Sequence, residues 1–196
     1  LGVYSFQVVE TFTAAPSNMV SGICDMELVV QGGNTLLYTA TRAGGGVLVL
    51  DVDAGLTLVD HEATLPGTTL PAAATLSVLQ VNGTAQLIVS GANLGGVQGR
   101  GLQSSGALAD PVTLSGSLAG TISAQAVVQI GGASYFYAAR QGESTIHAFS
   151  VAADGTMTLI GQQVLGGNLP GPNLTELTPV TVGGQSFLVS LSLARD

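Results

Sequence analysis

Three of the four arginines in this lysine-free sequence, Arg42, Arg140 and Arg195, close the segments LLYTATR, YFYAAR and FLVSLSLAR, each a short step beyond a glycine turn. A guanidinium offers a planar fork of donors that matches carboxylates and other oxyanions. Arginines carried to one rim by equivalent loops would therefore form a binding surface for an anionic group or a glycan. The competing reading is local: each pairs with a carboxylate or loop carbonyl, with Glu143, Glu176 and Asp25 as candidates. His61 and His147 are the two histidines, and they lie on well-separated segments. A zinc site or an acid–base pair needs several such groups to converge, and one histidine per segment does not provide that. Cys24 is the single cysteine, which excludes an internal disulfide and a multi-cysteine metal site. Its neighbours Asp25 and Glu27 would hold the thiol in its neutral form, so it reads as a small buried hydrophobe. Asp51-Val52-Asp53-Ala54-Gly55 opens like a calcium loop but lacks the third oxygen ligand and the closing glutamate. It reads instead as a hairpin turn, equivalent to Ala153-Asp154-Gly155. No G-x-S-x-G elbow occurs.

The elements that must position these residues are strands. Hydrophobic residues make up 46% of the 196 and charged residues 8%, yet no uninterrupted apolar stretch is long enough to span a membrane as a helix. The apolar residues come in short runs of Val, Leu, Ile and Ala, punctuated by 28 Gly and 7 Pro, a strand-and-turn vocabulary. A net charge of −8 with no basic stripe excludes nucleic acid as a partner. An acidic, lysine-free surface fits a secreted or cell-surface bacterial protein.

The stretch VVQIGGASYFYAARQGESTIHAFSVAADGTMTLIGQQV reads as four strands joined by three turns, and the rest of the chain repeats it imperfectly. Glycine turns at Gly33, Gly83, Gly132 and Gly184 recur at a period of about 50 residues, each between two apolar strands. Proline at positions 16, 66, 71, 170 and 172 falls in the connectors between units, while Pro111 and Pro179 are expected at strand starts. The fold expected is all-β: a β-propeller of about four four-stranded antiparallel blades of about 50 residues. The boundaries are a half-blade at 1–17, blades at 25–67, 74–118 and 122–167, and a half-blade at 174–193. The first and last half-blades are complementary. Residues 1–15 would supply the two outer strands of a blade whose inner strands are 177–193, within one chain or between neighbours or fragments. The chain opens at Leu1 without a charged leader, which is read as processing, export without an N-terminal signal, or a fragment.

LLYTATRAGGGVLVLDVDAGLTLVDH and YFYAARQGESTIHAFSVAADGTMTLIG resemble blades of the lactonase-like seven-bladed propellers. They resemble more closely the propeller regions that precede calcium-binding nonapeptide repeats in large secreted hemolysin-type (RTX) proteins of alphaproteobacteria. The resemblance implies an exported surface protein in which a flanking region binds calcium. No GGxGxDxUx run is present, so no calcium ligand, and no other cofactor, is carried over to a residue here. The expected function is a non-catalytic interaction or scaffolding propeller whose partner is a protein or a surface glycan, with self-association or completion by another fragment open. The alternatives are a lactonase-like hydrolase with its site at the central opening, and a structural subunit of an extracellular assembly.

Overall fold

The computed structural model describes residues 22–41, 46–62, 75–81, 83–90, 97–115, 118, 120–165 and 174–192. Arg42, Arg195, the half-blade at 1–17 and the connector prolines lie outside these. All regular structure among the described residues is strand. The strands are β1 (Ile23–Gln31), β2 (Asn34–Thr41), β3 (Gly46–Asp51), β4 (Thr57–Glu62), β5 (Thr75–Val81), β6 (Thr84–Ser90), β7 (Val97–Leu102), β8 (Leu108–Ser115), β9 (Ile122–Ile130), β10 (Ala133–Arg140), β11 (Thr145–Val151), β12 (Met157–Val164), β13 (Leu174–Val182) and β14 (Gln185–Ser192). Among the described residues no helix is long and apolar enough to cross a membrane.

Each group of four forms one antiparallel meander, β1 to β4, β5 to β8 and β9 to β12, and β13–β14 form a fourth, two-stranded sheet. The tight first turns have a simple cause. Gly131 and Gly132 both hold positive φ, 58° and 82°, the combination that matches a two-residue turn to the twist of its strands and that glycine adopts without strain. The turns between third and fourth strands share one geometry in the second and third sheets. The Ala152 N–H donates to Thr156 O and the Gly155 N–H to Ala152 O, as the Gln103 N–H does to Ala107 O and the Gly106 N–H to Gln103 O.

Sheets pack face to face in chain order, with one apolar layer between each pair. Leu36, Tyr38, Val47 and Val49 of the first sheet meet Leu87 and Val89 of the second. Ile88, on the opposite face of β6, packs instead with Phe136 and Phe149 of the third. This explains why β6 reads as a continuous apolar run: both of its faces are covered. The layer between the third and fourth sheets is built from smaller groups, Ala124, Ala126 and Ala139 with Ile146, Leu174 and Leu177. The first strands of the sheets adjoin, β1 with β5, β5 with β9 and β9 with β13.

Two expectations need correction. Pro111 and Pro179 lie inside β8 and β13 rather than at their starts. Each occupies a strand that ends its sheet, where a missing N–H breaks no ladder on the open side. The run Thr156-Met157-Thr158-Leu159-Ile160 alternates Thr with Met and Leu as a half-exposed outer strand should, but β12 does not alternate in burial. Past Met157, every residue from Thr158 to Val164 is exposed, because no described strand covers either of its faces.

Candidate functional site

The adjoining first strands enclose a cavity of about 570 Å³, to which β1 contributes Cys24, Asp25 and Glu27, β5 contributes Thr75 to Val78, β9 contributes Ala124 to Val127, and β13 contributes Thr175 to Pro179. Asp25 and Glu27 are two apart on β1, so the pleat puts them on one face, the face that carries buried Val29 into the layer against the second sheet.

Asp25 is a fastener. Its Oδ1 accepts from the Met26 N–H at 2.8 Å and its Oδ2 from the Leu76 N–H of β5 at 2.7 Å. One carboxylate thus joins the first sheet to the second. Burial raises its pKa above the ordinary carboxylate value, the two N–H donors pull it down, and the Glu176 charge adds a further upward push. Asp60 repeats the device on the outer strands, accepting from its neighbour His61 N–H at 2.8 Å and from the Leu108 N–H of β8 at 2.9 Å. Further ties cross between the sheets. The Tyr38 hydroxyl donates to Gly106 O at 2.8 Å, Gln31 Nε2 to Leu102 O at 2.9 Å, and Gln125 Nε2 to Ile88 O at 3.2 Å.

Glu27 differs, because no backbone donor lowers its pKa. Burial first, and the charge of Asp25 second, push it up to about 7. Near neutral pH it is therefore divided between acid and carboxylate, a state suited to handing over or accepting a proton. Glu176, across the cavity on β13, is exposed and accepts from the Thr178 hydroxyl at 2.9 Å. Cys24 is half-buried, with its sulfur 3.4 Å from Ala40 O.

Of the three arginines proposed to share a rim, only Arg140 falls among the described residues, and it pairs locally. Its Nε lies 3.2 Å from Glu143 Oε1, while Glu143 Oε2 lies 3.3 Å from His147 Nε2. His147 is buried in the packed strand β11, as its apolar neighbours imply. His61 is exposed on β4, and among the described residues no three His, Cys, Asp or Glu side chains gather as metal ligands. Asp51 and Asp53 act as turn residues, Asp51 Oδ1 accepting from the Ala54 N–H at 3.0 Å and Asp53 Oδ2 from the Thr35 N–H at 2.7 Å. Arg100, given no role by its sequence context, is fully buried in β7, with Nη1 donating to Ala109 O at 3.2 Å.

No family model and no curated protein matches the chain. Among solved structures, it is similar to the Bombyx mori GH32 beta-fructofuranosidase BmSUC1, a five-bladed propeller, with a TM-score of 0.51 and 11% identity over 86% of this chain and 42% of that one. The fold is β-propeller-like. The chain spans less than half the length of that neighbour, and at this identity the likeness concerns the fold alone.

Proposed function

We propose that this chain is a propeller module that binds or scaffolds rather than catalyses, within a secreted or cell-surface bacterial protein of the kind the hemolysin-type resemblance implies. The Asp25 carboxylate carries the reading. In the cavity where a propeller would place a reaction, both of its oxygens are occupied by backbone N–H groups of two sheets, so its role is to hold the sheets together. Glu143 is likewise engaged by Arg140 and His147. The partner proposed is a protein or a surface glycan.

One observation favours a second reading, a lactonase-like hydrolase: Glu27 titrates near 7 inside the cavity. A panel of lactones, esters and glycosides separates the two. No turnover by the intact chain is expected, whereas turnover that Glu27→Gln abolishes would replace the scaffolding reading with the hydrolase.

The same reading completes the fourth sheet with residues 1–15, Val3 to Val9 lying along β14 either within the chain, as a ring of four blades, or from a neighbour in a larger ring. β14 stands in its sheet where β2, β6 and β10 stand in theirs, yet no third strand lies beside it among the described residues. Its Phe187, Val189 and Leu191 are about half exposed. Leu48 and Leu50, on the face of the first sheet turned from the second, are buried with Leu37 and Leu56 as their described apolar neighbours, which favours closure within the chain. Amide exchange tests it. The β14 amides that face away from β13 should be protected in the full chain and lose that protection when residues 1–15 are deleted; finding these amides unprotected in the full chain would exclude both arrangements.

A further inference from the structure

We propose that β12 is a self-association edge, at which two copies of this chain join their third sheets by antiparallel β12–β12 pairing. The inference stands on residues remote from the cavity and does not depend on what the cavity does.

The three outer strands are not equivalent. β4 carries Asp60, His61 and Glu62, and β8 carries Asp110 and Pro111; charge and proline are the features by which sheet edges resist pairing with another chain. β12 reads MTLIGQQV, with neither. Leu159, Ile160 and Val164 are 49%, 55% and 62% exposed, and β12 pairs with β11 alone among the described strands. An uncharged edge of eight residues that carries exposed Leu159, Ile160 and Val164 is a template for strand addition.

The ladder shows which backbone groups are free to pair. The Leu165 N–H donates to Ser144 O, and antiparallel bonding alternates from residue to residue, so Gln163 bonds inward while Val164 and Gln162 turn their groups outward. At the other end the Ala152 N–H donates to Thr156 O, so Thr158 bonds inward while Met157 and Leu159 face outward. The register shift opposite Ala148 and Phe149 places a bulge at Ile160, where the alternation changes parity. The outward set, Met157, Leu159, Gln162 and Val164, is therefore symmetric about the Ile160–Gly161 peptide. A two-fold axis through that point sets Met157 opposite Val164 and Leu159 opposite Gln162 of the second copy, giving four hydrogen-bonded pairs. This is what selects a second copy as the occupant. Isologous pairing is satisfied by one strand meeting itself, and a chain of net charge −8 meets no like charge along this edge.

Sedimentation of the full chain over a range of concentrations tests the proposal. The unmodified chain should pass from monomer to dimer, and Leu159→Lys should raise the dimer dissociation constant by about ten-fold or more. Val112→Lys, on the exposed face of β8, should leave it unchanged. Should Leu159→Lys fail to fold, as judged by its thermal transition, Gln162→Lys puts the same charge on the same edge without removing an apolar side chain. A chain that stays monomeric at every concentration, or a dimer weakened equally by the β8 and β12 variants, would overturn the assignment.

Discussion

Gly106→Ala is expected to lower the unfolding free energy by about 2–5 kcal/mol, combining strain at a left-handed backbone position with overpacking of a full core. Gly106 holds φ at +88° at the tip of the turn between β7 and β8, and this tip tucks against the preceding sheet. A methyl group there would overlap Leu36 Cδ1 and lie 3.1 Å from its Cδ2. Leu36 is fully buried between the first and second sheets. The turn cannot move aside freely, because Gly106 O receives the Tyr38 hydroxyl at 2.8 Å. Gly132→Ala separates the two causes. Its φ is +82°, but nothing lies within 4 Å of the added carbon, so strain alone should cost about 1 kcal/mol. Urea denaturation of both variants reads the difference, and equal midpoints would mean that the β7–β8 turn does not pack against the first sheet as described.

The contrast between these glycines shows where sequence reading succeeds and where it stops. Gly131–Gly132 and Gly183–Gly184 mark hairpins because the need for positive φ is local and is written in the residue pair itself. Gly106 carries the same local mark, but its close approach to Leu36 joins positions 70 residues apart, and no local pattern encodes it. The strands of each sheet were legible for the first reason, and the exposure of β12 past Met157 was not, since exposure depends on what the neighbouring sheet covers. The candidate site divides in the same way. Arg140 and Glu143 are three residues apart, and their pairing was among the readings open from sequence. Asp25 was legible only as a neighbour of Cys24 and a candidate partner for an arginine; its role rests on the Leu76 N–H, which comes from another sheet. Glu27 is ordinary in sequence, and its altered proton affinity arises from burial, a property of four strands together.

Glu27→Gln is expected to stabilise the folded chain above neutral pH and to flatten the decline of stability between about pH 5 and 8. In the folded chain Glu27 titrates near 7 against an ordinary value of 4.5, so the folded state holds this proton more tightly than the unfolded one. Its stabilising contribution is therefore complete below the unfolded value and diminishes as pH rises. Once pH exceeds 7 the contribution is gone, and the folded state carries a partly desolvated charge beside Asp25. Because the side chain is only half-buried, solvent screening reduces the full value of the shift, leaving on the order of 1–2 kcal/mol across the window. Asp25 shifts in the same direction and should leave a smaller slope of the same sign, at lower pH, in the variant. A glutamine keeps the shape of Glu27 and has no proton to lose, so wild type and variant should unfold at similar urea concentrations near pH 4.5 and diverge toward pH 8, the variant being the more stable. Parallel profiles across that range would place the Glu27 carboxyl in water rather than in the shared cavity. The direction of the divergence also bears on function: a carboxyl whose ionisation weakens the fold at neutral pH is retained at a cost, whereas one that is neutral to stability can be explained by packing alone.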